Sequence, residues 1–150
     1  NFRPGFDTKK LPNLDNTEFS FVSANANKLP IKDGVVDLIM DRMGAIWHTI
    51  NSCLSSEGQP IAEMSESQKN EAREKVKSIL EHYLSKLKNE GNIIVDAPDD
   101  DRVSTAKLLL ATFDKDIDRQ LNQIGLEYSF IGEKDNRLLV LHKIPETTDK

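Results

Sequence analysis

Two short apolar runs, Val35–Met40 and Asn92–Asp96, stand on either side of a long stretch with helical periodicity, and this alternation limits the fold more than any other feature of the chain. Runs of that length with little polar alternation suit strands buried on both faces of a sheet. Lys32-Asp33-Gly34 is a turn signal leading into the first of them. From Met43 to Leu54 the apolar residues Ala45, Ile46, Trp47, Ile50 and Leu54 recur at helical spacing, and Gly58 and Pro60 end the pattern. Ser65 followed by Gln68 matches a capping box. Ala72, Val76, Ile79, Leu80, Tyr83, Leu84 and Leu87 then carry a helix that Gly91 is expected to stop.

The same reading extends to both ends of the chain. Phe19–Ser23 alternates aromatic and β-branched residues with serine and predicts a strand; Asn1–Glu18, with Pro4, Gly5 and Pro12, reads as a lead-in. A second long helical pattern runs from Val103 to Gln123, after the acidic loop Asp99–Asp101. Leu126–Ile131 and Arg137–His142 read as strands joined into a hairpin by Gly132–Asn136, and residues 144–150 as a flexible tail. The predicted order β, β, α, α, β, α, β, β is that of one α/β domain over residues 19–143 with an antiparallel edge.

Composition narrows the function classes. The chain has 150 residues, enough for one core, and a net charge of −5, which gives no overall electrostatic reason to approach nucleic acid or an anionic membrane. No apolar run approaches the ~20 residues that span a bilayer. Cys53 is the lone cysteine, which excludes an internal disulfide or a cysteine-cluster metal site and fits a reducing, cytoplasmic compartment. With no leading Met and no apolar segment in Asn1–Lys10, the chain reads as a processed or truncated product without a signal peptide.

Three separated segments, in order, resemble the class I S-adenosylmethionine-dependent methyltransferases. Phe21–Ile39, containing Ala24-Asn25-Ala26-Asn27-Lys28-Leu29-Pro30 and Val36-Asp37-Leu38-Ile39, is similar to that family's third strand, adenine loop and fourth strand, ADAxxLPFxDxxFDLI. Leu87–Val95 resembles LKPGGxLVI at its fifth strand, and Ile124–Glu127 with Arg137–Leu141 resembles its GF(E/K) strand and closing antiparallel partner. The resemblance covers roughly Phe19 to Lys143. It implies a Rossmann-like methyltransferase sheet with a C-terminal antiparallel hairpin and with the N-terminal strands missing. The family's GxGxG turn has no counterpart, because Gly5 is the only glycine before Gly34. Sheet edges left by the missing strands are expected to be completed by sequence upstream, by a partner chain or by a second copy. A rearranged remnant of the domain is the further alternative.

The resemblance also implies the site. Asn25 would accept from the adenine amino group of S-adenosylmethionine, an uncharged residue where Asp is usual, and the Ala26 N–H would meet a ring nitrogen. After the fourth strand, Asp41 would orient or deprotonate a small-molecule acceptor and His48 would act as general base, with Arg42 and Trp47 binding the acceptor. Each has a plainer role open to it. Asn25 can turn the chain, Asp41 and Arg42 can pair at a helix N-terminus, Trp47 can pack in the core and His48 can be solvated. No metal site is expected: Asp96 and Asp99–Asp101 lack calcium-loop spacing, and His82 and His142 are isolated. The function that follows is methyl transfer to a small molecule by a completed domain. The alternatives are a non-catalytic methyltransferase-like subunit acting through protein association, and an unrelated α/β domain.

Overall fold

The computed structural model describes residues 26–55, 59–98, 104–133 and 137–145. The lead-in, the strand expected at Phe19–Ser23, Asn25, the acidic loop Asp99–Asp101, the hairpin tip at Lys134–Asn136 and residues 146–150 lie outside them. The described residues form a mixed α/β structure with one four-stranded sheet: β1 (Val36–Met40), α1 (Ala45–Ser52), α2 (Glu66–Lys86), β2 (Leu87–Ile94), α3 (Thr105–Phe113), α4 (Ile117–Ile124), β3 (Leu126–Ile131) and β4 (Leu138–Lys143). Short 3-10 turns at Ile61–Glu63 and Asp114–Asp116 precede α2 and α4.

The sheet order is β1-β2-β4-β3. β1 and β2 run parallel, which requires the helical crossover that α1 and α2 provide. β4 lies antiparallel between β2 and β3, in continuous register with β3 from Leu126↔Lys143 to Ile131↔Leu138, so the expected hairpin forms. Gly34 opens β1 with a left-handed φ of 69°, the conformation the Lys32-Asp33-Gly34 turn needs, and its N–H donates to the Ser85 carbonyl at the end of α2.

Along the strands, one set of side chains joins the helices in the core and the alternate set does not. Ile93, Leu126, Leu139 and Leu141 are fully buried with Ile46, Ile50, Val76, Leu80, Leu108, Phe113 and Leu121. On the opposite face Leu38, Ile94, Val140, His142, Glu127 and Ile131 line a shallow depression of about 310 Å³. Leu38 is 47% exposed and Met40 68% exposed.

This corrects the expectation that β1 is buried on both faces: it is an edge strand among the described residues, with one face turned outward. Two further boundaries differ. α2 stops at Lys86, well before Gly91, because β2 begins at Leu87 and loops out between the pairs Val36↔Leu87 and Leu38↔Asn92. Gly91 sits inside that bulge, where a Cβ would lie 2.9 Å from the Lys88 carbonyl oxygen, and so does not cap the helix. The helical pattern over Val103–Gln123 is two helices, broken where Asp114 adopts a φ of 52° that no helix continues through.

Candidate functional site

The carboxyl ends of β1 and β2 are where ligands collect in open α/β sheets, and each ends in a buried aspartate. Asp41 follows β1 and stays tied to the sheet, its N–H donating to the Ile94 carbonyl at 2.9 Å. Its side chain turns inward and is 4% exposed. Oδ2 accepts from the Tyr83 hydroxyl at 2.7 Å, and from the Ile46 N–H in the first turn of α1 at 3.4 Å. Oδ1 is buried with no hydrogen-bond partner. It sits against Gly44, where a Cβ would fall 2.7 Å from it, so the absence of a side chain there leaves the carboxylate room.

Asp96 performs the matching task after β2. It is 7% exposed, and its two oxygens accept from Thr105 N–H at 3.0 Å and Ala106 N–H at 2.7 Å, capping α3 together with Ser104, which accepts from Lys107 N–H. Thr105 links the two strand ends: its hydroxyl accepts from Met43 N–H at 2.8 Å. Met43 holds a φ of 48°, uncommon for a residue with a side chain, so the Asp41–Gly44 turn is a strained loop pinned to the start of α3.

The other expected site residues scatter. Arg42 is exposed and makes no ion pair among the described residues. His48 is exposed on α1, its ring edge-on to Trp47 at 5.0 Å, and shares no hydrogen bond with Asp41. Trp47 is half-buried against the core, in line with a packing role. Ala26 is likewise half-buried at the core margin, and Asn25 lies outside the described residues. Among the described residues no cluster of three or more His, Cys, Asp or Glu is placed to hold a metal. His82 instead accepts from the Leu29 N–H at 2.8 Å, and His142 Nδ1 pairs with Asn92 at 2.7 Å.

Tyr83 is the hydrogen-bond partner of Asp41 that sequence reasoning missed. Helical spacing placed it with the core residues of α2, correctly, but nothing in the pattern shows that its hydroxyl meets a strand end forty-two positions away. Burial, and then the neighbouring Asp41 charge and hydrogen bond, push its ionisation far above the ordinary phenol range.

No protein-family model matches the sequence, and no curated protein matches it. A solved structure aligns with it: the crystal structure of a possible exported protein from Bordetella parapertussis, 15% identical, covering 82% of this chain and 43% of that one, with a TM-score of 0.36. The chain thus spans less than half the length of that protein. No helix among the described residues is long and apolar enough to cross a membrane.

Proposed function

We propose that this chain supplies the carboxyl-terminal half of an S-adenosylmethionine-dependent methyltransferase domain that acts on a small molecule. The observation that carries the reading is the sheet order. A parallel pair is followed by a last strand inserted antiparallel beside β2, with β3 outside it. That is the layout the resemblance implies for the family's fourth, fifth and closing strands. The free side of β1 is where the missing strands belong, and the outward Leu38 and Met40 lie on the face that a further layer would cover.

When bound, the methyl donor supplies the electrophilic carbon, and the protein's part is to hold the acceptor in line with it. The described residues fit that task at the acceptor end: Asp41 lies at the mouth of the sheet with one oxygen held and one unpartnered. They contain no glycine-rich turn, so the ribose and methionine portions of the donor need the missing half. Ala26, with Asn25, is assigned to adenine by the resemblance. The buried, free Cys53 goes with a reducing, cytoplasmic setting. A second reading, a non-catalytic subunit working through association, is favoured by the same exposed β1 edge.

The test is calorimetric titration with S-adenosylmethionine and S-adenosylhomocysteine, after a light-scattering mass. It is run on the 150-residue chain and on the form extended upstream in its natural reading frame. Saturable binding by either form, or by an oligomer, supports methyl transfer. A folded extended form that binds neither ligand overturns it in favour of the associating subunit.

A further inference from the structure

A row of register partners crosses the outward face of the sheet: Leu38 on β1 pairs with Asn92 on β2, Asn92 with His142 on β4, and His142 with Glu127 on β3. The next row, Met40, Ile94, Val140 and Ser129, is mostly apolar. Asn92, His142 and Glu127 thereby line the outward depression together with Leu38, Ile94 and Val140, and its volume of about 310 Å³ is that of a small-ligand site. The imidazole is fixed from one side. His142 Nδ1 lies 2.7 Å from Asn92 Oδ1, and an amide oxygen only accepts, so Nδ1 carries the proton and Nε2 keeps its lone pair. Glu127, directly across on β3, is exposed, and among the described residues no hydrogen bond or ion pair engages its carboxylate. Two acceptors therefore stand on neighbouring strands, and no Lys or Arg among the described residues lines the depression to serve them.

We infer that this depression binds a small apolar cation with a planar amidinium or guanidinium head. Such a head brings a positive charge to Glu127 and N–H groups that diverge in one plane, so that one donates to the carboxylate and another to His142 Nε2. A neutral amide brings the N–H groups without the charge, and an alkylammonium brings the charge without the fork. The half-buried Ile94, the buried Val140 and the outward Leu38 form an apolar floor for the ligand's ring or hydrocarbon body. Asn92 is a positioning residue: its amide oxygen selects the ring tautomer that leaves Nε2 an acceptor. Because Glu127 is exposed, its charge is screened and the expected binding is weak, in the millimolar range. The polar end of the row lies toward β3, away from the free side of β1, so the inference is independent of the methyl-transfer reading.

The experiment is amide-resolved NMR titration of the full chain with benzamidine hydrochloride at pH 8, above the ordinary imidazole range. Benzamide, benzylammonium chloride and guanidinium chloride at matched concentrations are the controls for charge, fork and apolar body. The expected result is saturable shifts at the Asn92, Glu127 and His142 amides with benzamidine, and binding of each control weaker by about fivefold or more. Glu127→Gln, a neutral change of the same shape at an exposed strand position, keeps the fold and should weaken benzamidine about fivefold. Imidazole nitrogen spectra should place the His142 proton on Nδ1 in the free protein, with the Nε2 resonance moving as benzamidine saturates. In Asn92→Ala the proton is expected to divide between the two nitrogens, a change that a merely structural role for Asn92 would not produce. No saturable shift with benzamidine, equally tight binding of benzamide, undiminished affinity in Glu127→Gln, or a wild-type ring protonated on Nε2 alone overturns the inference.

Discussion

Asp96→Ala is the substitution with the sharpest expected effect, because one side chain holds α3 to the end of β2. Removing it leaves Thr105 and Ala106 N–H groups without acceptors inside a region where Thr105 and Ala106 are fully buried. Each buried orphan donor costs about 1–3 kcal/mol, against which the loss of a buried charge gives some return, and cap removal alone typically costs about 1 kcal/mol. Ser104 still serves Lys107, so the first turn is not stripped bare. A net loss of about 3 kcal/mol follows, which at a urea slope of about 2 kcal/mol/M lowers the midpoint by roughly 1.5 M with the slope unchanged. Because Thr105 also accepts from Met43 N–H, hydrogen exchange at Met43 should accelerate in the same variant. A loss under about 0.5 kcal/mol would refute the account of Asp96 as the joint between sheet and helix, since that is the range of an ordinary surface change.

Three smaller effects follow from the same geometry. Tyr83→Phe removes the stronger of the two bonds to Asp41 Oδ2 and should cost about 1–3 kcal/mol in urea unfolding. Since the folded Tyr83 is raised well above its unfolded value, stability from this group is fully present below the unfolded phenol pKa. It falls as pH climbs past about 10, and a wild-type protein no less stable at pH 11 than at pH 9 would contradict the burial of that hydroxyl. Lys86 donates to Asp33 at 2.7 Å, and its hydrogen bond and charge hold the Asp33 carboxyl below its ordinary value; carbon-detected titration should show that pKa rising in Lys86→Met. The stabilising side of the pair is present above the unfolded carboxylate pKa and lost as pH falls through the folded one. Gly44→Ala should cost about 1–3 kcal/mol by pushing the new carbon against Asp41, as overpacking does, and equal stability would show that the turn relaxes freely.

What was legible in the sequence was whatever depends on neighbours along the chain. The Ser65–Gln68 capping box forms as its spacing implies, with both reciprocal bonds, and the Gly34 turn, β1 and β3 fall where their local patterns put them. What escaped depends on groups distant in sequence. α2 yields to β2 at Leu87 because that backbone pairs with β1, and no local signal competes with a helical periodicity that Leu87 itself continues. Val35–Met40 is apolar enough for two buried faces, and its actual exposure reflects what packs over its outward face, a property of the assembled fold rather than of the run.

The site shows the same division. Asp41 was singled out by the resemblance as the residue after the fourth strand, and in the structure it follows β1 and turns inward at the end of the sheet. Its neighbours Arg42 and His48 were grouped with it by proximity in sequence, yet a turn of helix carries His48 to the solvent side while Ile46 and Ile50 go to the core. The partner that decides Asp41's chemistry comes from α2 instead. A capping role and a binding role are also compatible in one carboxylate. Asp96 uses both oxygens on the helix that follows it, whereas Asp41 uses one, on Tyr83 and α1. If the only task after each strand were to start a helix, the two aspartates would be expected to spend their oxygens alike. The difference between them is the strongest physical reason to look for a ligand at β1 rather than at β2.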